Sequence, residues 1–334
     1  MKSTSVCLFG EREHGVKRAF FEITNLCNMS CKHCMNNSGV DYEQVLEKEE
    51  IKQLFKELHN HQIMQLYISG GEPLLYCGID EVLQYAHSLG MKIVLATNGL
   101  AINNHLSTIK NCVDTVSVSL DGIEETHDLF RGVPGSFNHL TKMLDLLQRE
   151  RITTKMSTII WKGNVNQLAE IISFAKSKEI SKLNFNILVN TGRAKENPDI
   201  HIPSDEYQSL YETVCELINK NSNPFFKIDM KRRQELNAES SPCPGGKQMF
   251  HISAEGRVSP CSWLSKIDNT NQFSSTWQKG GLGSCLEKCN DLDLVLDERK
   301  SIYGFSGCPA LASIHNGSYL SEDPLNERLN FVEI

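Results

Sequence analysis

No apolar run in this chain approaches the length of a membrane span, so no transmembrane anchor is expected. A basic excess is missing too. The 34 Lys and Arg stand against 41 Asp and Glu, a formal charge of −7, which argues against a nucleic-acid substrate because phosphate contacts need a basic footprint. There are no internal repeats and no low-complexity tracts. The first residues, with Lys2, Glu11, Arg12 and Glu13 around one short apolar stretch, lack the pattern of a secretory signal. A cytoplasmic location is therefore expected, where disulfides are rare. Against these absences stands one abundance, twelve cysteines, which in that compartment point to metal ligation.

Three of them fall in Thr24-Asn25-Leu26-Cys27-Asn28-Met29-Ser30-Cys31-Lys32-His33-Cys34, a C-x3-C-x2-C triplet behind the apolar segment 19–23. Cysteine thiolates are the normal ligands of a four-iron cluster, which has four corners to fill. Three thiolates leave one iron open, and an open metal position separates a catalytic site from a structural one. The alternatives are a zinc knuckle or a set of buried thiols. Zinc would want paired Cys/His ligands and a second half nearby.

The segment 65–69 runs into Gly70-Gly71-Glu72-Pro73. Two glycines at a strand end let the backbone approach a ligand closely, and a carboxylate beside them can meet an ammonium. Further on, Ser117-Val118-Ser119-Leu120-Asp121-Gly122 is followed by His127-Asp128 and Arg131. A guanidinium matches the two oxygens of a carboxylate; the alternative for Arg131 is a surface ion pair with Asp128 or Glu125. Asn98, in Thr97-Asn98-Gly99, is a further candidate, with a plain turn as its alternative.

Together these motifs resemble the radical S-adenosylmethionine (radical SAM) superfamily. The resemblance implies a [4Fe-4S] cluster on Cys27, Cys31 and Cys34, its open iron chelated by the amino and carboxylate groups of SAM. His33 stands where the residue before the third cysteine is usually aromatic. Gly70, Gly71, Glu72 and Pro73 match the motif that holds the SAM amino group. Ser119 and Arg131 match a serine and an arginine that contact SAM in the subgroup carrying extra clusters, which includes the sulfatase-maturing enzymes. The implied chemistry is reductive: an electron from a flavodoxin or ferredoxin-type donor cleaves SAM, and a 5′-deoxyadenosyl radical abstracts hydrogen from the substrate.

Short apolar strands at 20–23, 66–69, 92–96, 115–120, 153–160 and 182–188 alternate with helical patterns such as 49–59, where Ile51, Leu54, Phe55 and Leu58 keep a spacing of three and four. Six such units imply a parallel sheet buried on both faces, and the motifs fall at the C-terminal ends of the strands, where α/β barrels place their sites. The expected fold is thus α/β, a partial (β/α)6 TIM-like barrel, and the resemblance implies the same. Near residue 235 the composition turns to Ser, Pro and Gly. This divides the chain into a core of 1–235 and a cysteine-rich extension of 236–334.

Cys243-x12-Gly256-x4-Cys261 is similar to the opening of the SPASM or twitch extension, with a β-hairpin turning at Gly256 followed by a helix, and Gly307-Cys308-Pro309-Ala310 resembles its later cysteine. Gly304 and Asn326 stand where a full SPASM domain would have cysteines. One auxiliary [4Fe-4S] cluster is expected, from Cys243, Cys261, Cys308 and one of Cys285 or Cys289, with a four-thiolate zinc site as the alternative. The surplus thiol is a candidate hydrogen donor to a substrate radical. Cys285 as ligand and Cys289 as donor is preferred over the reverse. Cys215 reads as a small buried hydrophobe, and Cys7, Cys77 and Cys112 as core or loop thiols.

The expected substrate is a ribosomal peptide, modified by epimerisation or cross-linking, although the short stretch before the first strand leaves no room for a fused leader-binding domain. The alternative is a small molecule of aminoglycoside or cyclitol type. A non-catalytic iron–sulfur carrier is disfavoured, since a carrier needs no SAM pocket.

Overall fold

The computed structural model describes residues 16–39, 45–230, 243–304 and 306–322. Strands β1 (Lys17–Glu22), β2 (Ile63–Ser69), β3 (Lys92–Thr97), β4 (Thr115–Ser119), β5 (Thr154–Ile160), β6 (Lys182–Ile187) and β7 (Lys227–Met230) run parallel, each hydrogen-bonded to the next. Between them lie α1 (Lys48–Asn60), α2 (Ile79–Ser88), α3 (Leu106–Cys112), α4 (Glu125–Arg131), α5 (Ser136–Arg149), α6 (Leu168–Ser177) and α7 (Tyr207–Asn221). The stripe Ile51, Leu54, Phe55 and Leu58 is the buried face of α1. Each such side chain contributes about 1.5–3 kcal/mol by leaving water.

The extension builds β8 (Met249–Ile252), β9 (Arg257–Ser259), β10 (Ser275–Thr276) and helices α8 (Ser262–Ile267), α9 (Trp277–Cys289), α10 (Leu292–Tyr303) and α11 (Pro309–Asn316). The expected hairpin is β8–β9, turning at Gly256. β8 lies parallel against β1, Arg18 opposite Met249 and Phe21 opposite Ile252, so one ten-stranded sheet runs β10-β9-β8-β1-β2-β3-β4-β5-β6-β7. The sheet is open, with β10 and β7 as its edges. β7 was not expected from the sequence: four residues are too short for an alternation to stand out. The expected boundary near 235 lies outside the described residues. Among the described residues no helix is long and apolar enough to cross a membrane.

One expectation needs correcting. The inner face of the sheet is not a second apolar face. In β5, Thr154, Met156, Thr158 and Ile160 are buried, while Lys155, Ser157 and Ile159 face a cavity. Gln65, Tyr67 and Ser69 do the same in β2. The strands therefore alternate, because a parallel sheet reads as continuously apolar only where helices or packing cover both faces.

Candidate active site

The cavity has a volume of about 440 Å³, and Cys27, Cys31 and Cys34 line it together with Gly70, Gly71, Asn98, Ser119, His33 and Arg131. These residues come from the segments that follow β1, β2 and β3, from the last residue of β4 and from α4, so the topology brings together at one end of the sheet what the sequence scatters over a hundred positions.

The cysteine loop is held by backbone contacts from three directions. After β2, the Gly71 and Glu72 N–H groups donate to the Thr24 and Leu26 carbonyls, each at 2.7 Å. A Cβ on Gly71 would stand 2.1 Å from the Leu26 oxygen, so only glycine fits this approach. From α4, Lys32 N–H donates to the Phe130 carbonyl at 2.9 Å, and the His33 ring stacks on Phe130 at 4.6 Å and 6°. After β6, Gly192 at φ 54° packs on the Cys34 carbonyl, where a Cβ would come within 2.3 Å. The next residue, Arg193, donates from its backbone to the Cys34 oxygen at 3.0 Å. Its side chain reaches the carbonyls of Cys31 at 2.8 Å and Ser38 at 2.7 Å. Arg193 is not among the residues expected from the sequence, where nothing signals its loop-holding role.

Several sequence-predicted residues sit differently from the expectation. Glu72 is fully buried and does not line the cavity. Its carboxylate accepts from the Thr97 hydroxyl at 2.8 Å, Asn98 N–H at 2.8 Å and Leu74 N–H at 3.1 Å, binding the turn after β2 to the turn after β3. Pro73 is buried behind it. The glycines, and not Glu72 or Pro73, present that motif to the cavity. Burial pushes the Glu72 carboxyl up, against these hydrogen bonds. Asn98 keeps its side chain at the cavity and donates to Asn28 Oδ1 at 2.8 Å. Arg131 is no surface residue: its Nη2 pairs with the fully buried Asp121 at 2.5 Å, and Nη1 points to Cys31 Sγ at 3.6 Å. Asp128, the expected alternative partner, instead caps α5 through Ser136 and Phe137, each at 2.8 Å.

Among the described residues no three His, Cys, Asp or Glu side chains are gathered tightly enough to hold a metal ion. The three loop thiols nevertheless share one cavity wall. Burial pushes the Cys27 thiol up to about 11, with a further push from Cys31 and Cys34. Arg131 Nε and His33 Nδ1 are buried without a hydrogen-bond partner. Soft thiols beside unused donors fit an iron–sulfur group with a ligand next to it.

Residues 21–175 match the family model of the radical SAM superfamily. That segment is a radical SAM domain. The AdoMet-dependent heme synthase of Oleidesulfovibrio alaskensis is 27% identical over 91% of this chain and 85% of its own length. The mycofactocin maturase MftC of Mycolicibacterium smegmatis is 27% identical over 78% of this chain and 70% of its own. Among solved structures, Streptococcus suis SuiB bound to S-adenosylmethionine superposes with a TM-score of 0.74 at 15% identity, covering 92% of this chain and 76% of SuiB; SuiB has also been solved bound to its precursor peptide SuiA. At that identity the likeness establishes the fold. Radical SAM enzymes use a [4Fe-4S] cluster and SAM.

The radical SAM core and the extension meet at Glu22, which is buried beside the cavity. Its Oε1 lies 3.0 Å from His251 Nε2 on β8, and its Oε2 accepts from Lys266 of α8 at 2.8 Å. Burial works to raise this carboxyl, but His251 and Lys266 outweigh it and hold it down to about 2. Asn25 of the cysteine loop donates to Glu255, in the β8–β9 turn, at 2.7 Å.

In the extension, Cys243, Cys261 and Cys308 pack around a second apolar core that contains Trp263, Phe273 and Leu292. The pair on α9 divides. Cys289 is fully buried, and its thiol is pushed up by burial, then by the nearby Cys285 and Cys261. Its backbone packs on Gly246, while the adjacent Gly245 packs on Cys243 Sγ. Both thiols belong to the main core, and Cys285 donates to the Ser275 carbonyl at 3.8 Å. Cys289 thus lies near Cys261, whereas the expected order took Cys285 as the ligand. Neither thiol, of which one was the expected hydrogen donor, lines the cavity. Cys77 is exposed and also off the cavity.

Proposed function

We propose that this radical SAM enzyme abstracts hydrogen from a ribosomally made peptide, leading to its epimerisation or cross-linking, in the cytoplasm and with a flavodoxin or ferredoxin-type donor. The observation that carries the SAM reading is the single cavity shared by Cys27, Cys31, Cys34, Gly70, Gly71, Asn98, Ser119 and Arg131. Bound there, a [4Fe-4S] cluster would supply one electron to the SAM sulfonium and so release a 5′-deoxyadenosyl radical. The three thiolates would hold three corners. The Gly70-Gly71 backbone would face the amino group of SAM and Arg131 Nε–H its carboxylate, while Ser119 and Asn98 would orient the remainder. Residues 236–334 would form a SPASM or twitch-like domain with one auxiliary [4Fe-4S] cluster on Cys243, Cys261, Cys289 and Cys308.

Support for a peptide substrate comes from the likeness to SuiB, solved with a precursor peptide, and from the MftC relative. A second reading, a small molecule, is favoured by the heme synthases, which match across 85–94% of their own length.

Replacing Cys27, Cys31 and Cys34 together by Ala tests the core reading. The variant should form no 5′-deoxyadenosine under dithionite yet retain iron on its C-terminal thiols. Persistent SAM cleavage would sink it. A mass change in a co-expressed precursor peptide would support the first substrate reading. Stimulation of SAM cleavage by an iron porphyrin, and not by peptide, would support the second.

A further inference from the structure

We propose that Arg131, fixed by Asp121, sets the reduction potential of the cluster on Cys31. The inference rests on the reading of the cysteine loop as a cluster site and adds a role for the Arg131–Asp121 pair that is separate from SAM binding. Arg131 is 8% exposed and Asp121 is 0% exposed, so neither charge is screened by water. The guanidinium sits between two partners, Asp121 Oδ2 at 2.5 Å from Nη2 and Cys31 Sγ at 3.6 Å from Nη1.

Asp121 cannot follow the arginine elsewhere. Its Oδ1 accepts Ile159 N–H at 2.7 Å, and its carbonyl accepts Trp161 Nε1 at 2.8 Å and Asn164 Nδ2 at 3.1 Å. Its own N–H donates to His127 Nδ1 at 3.2 Å. The same end of α4 is clasped to the cysteine loop through Phe130, which carries the stacked His33 ring and itself stacks on Trp161 at 4.3 Å. An arginine held this firmly donates to a thiolate in one geometry.

The physical effect has a definite sign. Reduction adds one electron to the cluster, and a cation donating to a ligating sulfur stabilises the more negative form, so it raises the potential. In a buried site the interaction is far stronger than in water. Asp121 opposes it, from one guanidinium nitrogen further away. The two residues should therefore move the potential in opposite directions, which a merely structural role would not do.

The test is an EPR-monitored redox titration of the full-length, iron-reconstituted protein, following the signal that changes when SAM is added and thus belongs to the open-iron cluster. Arg131→Gln should make reduction at least tenfold less favourable, a fall of about 59 mV for a one-electron couple. Asp121→Asn should raise the potential, and Arg131→Lys should restore part of the loss. If Asp121→Asn does not fold, the Gln and Lys variants of Arg131 still give the sign. Unmoved potentials, or shifts of the same sign for Arg131→Gln and Asp121→Asn, would overturn the assignment while leaving the cluster reading intact. A wild type with no SAM-responsive signal would instead overturn the cluster reading, and this inference with it.

Discussion

Glu72 accepts three hydrogen bonds and touches no part of the cavity. Replacing it by Gln puts an amide NH2 where one oxygen now accepts, leaving a buried N–H or hydroxyl facing another donor. Glu72→Gln should cost about 1–3 kcal/mol in urea unfolding, with the SAM dissociation constant within about twofold of wild type. A tenfold loss of SAM affinity at unchanged stability would return the carboxylate to the role expected from its motif. At this scale the sequence was legible where chemistry dictates residue type. Three cysteines in eight positions could be read directly, and so could two glycines at a strand end. Partnership was not legible. Asp121 and Arg131 meet only because α4 folds back over β4, and Arg193 reaches the loop from beyond β6. No spacing in the chain records either encounter.

Helix α9 is interrupted at Gly281, whose φ of 71° and ψ of 171° are not helical. The turn beyond it begins with Leu282, whose N–H donates to Glu57 of α1 at 2.9 Å. This anchoring fixes the direction of the remaining turns, and with it which thiol faces the Cys243 and Cys261 side. Cys289→Ala should therefore lose the iron of the auxiliary set, and Cys285→Ala should keep it, read by iron and sulfide content after anaerobic reconstitution. The opposite outcome would restore the expected order of the pair. The hairpin around Gly256 was legible because a turn residue sat between two apolar runs. The four helices α8 to α11 were only partly so. The apolar positions of α8, α10 and α11 pack on a small core of their own, those of α9 on the main core, and in segments as short as six or eight residues a helical period is hardly repeated.

Across the whole molecule, one buried carboxylate joins the barrel to its extension. Glu22 is held near 2 by His251 and Lys266 against the pull of burial. A depressed folded-state pKa adds stability that is fully present above the ordinary value of 4.5 and is lost as pH falls toward 2. The gap corresponds to about 3 kcal/mol. Glu22→Gln should flatten the loss of unfolding free energy between those two pH values, measured by urea titration of the metal-free chain. An unchanged acid limb would show that the network does not couple to stability. The parallel pairing of β8 with β1 also governs how the protein is made. Lys266 meets Glu22 across 244 positions of sequence, so β1 leaves the ribosome long before its second neighbour exists. At translation speeds of about 5–20 residues per second that interval is roughly 10–50 s, during which an apolar strand presents an open edge to every other nascent chain. The cavity beside the cysteine loop gains its last wall, Ser262 and Trp263, only after that edge has been sealed.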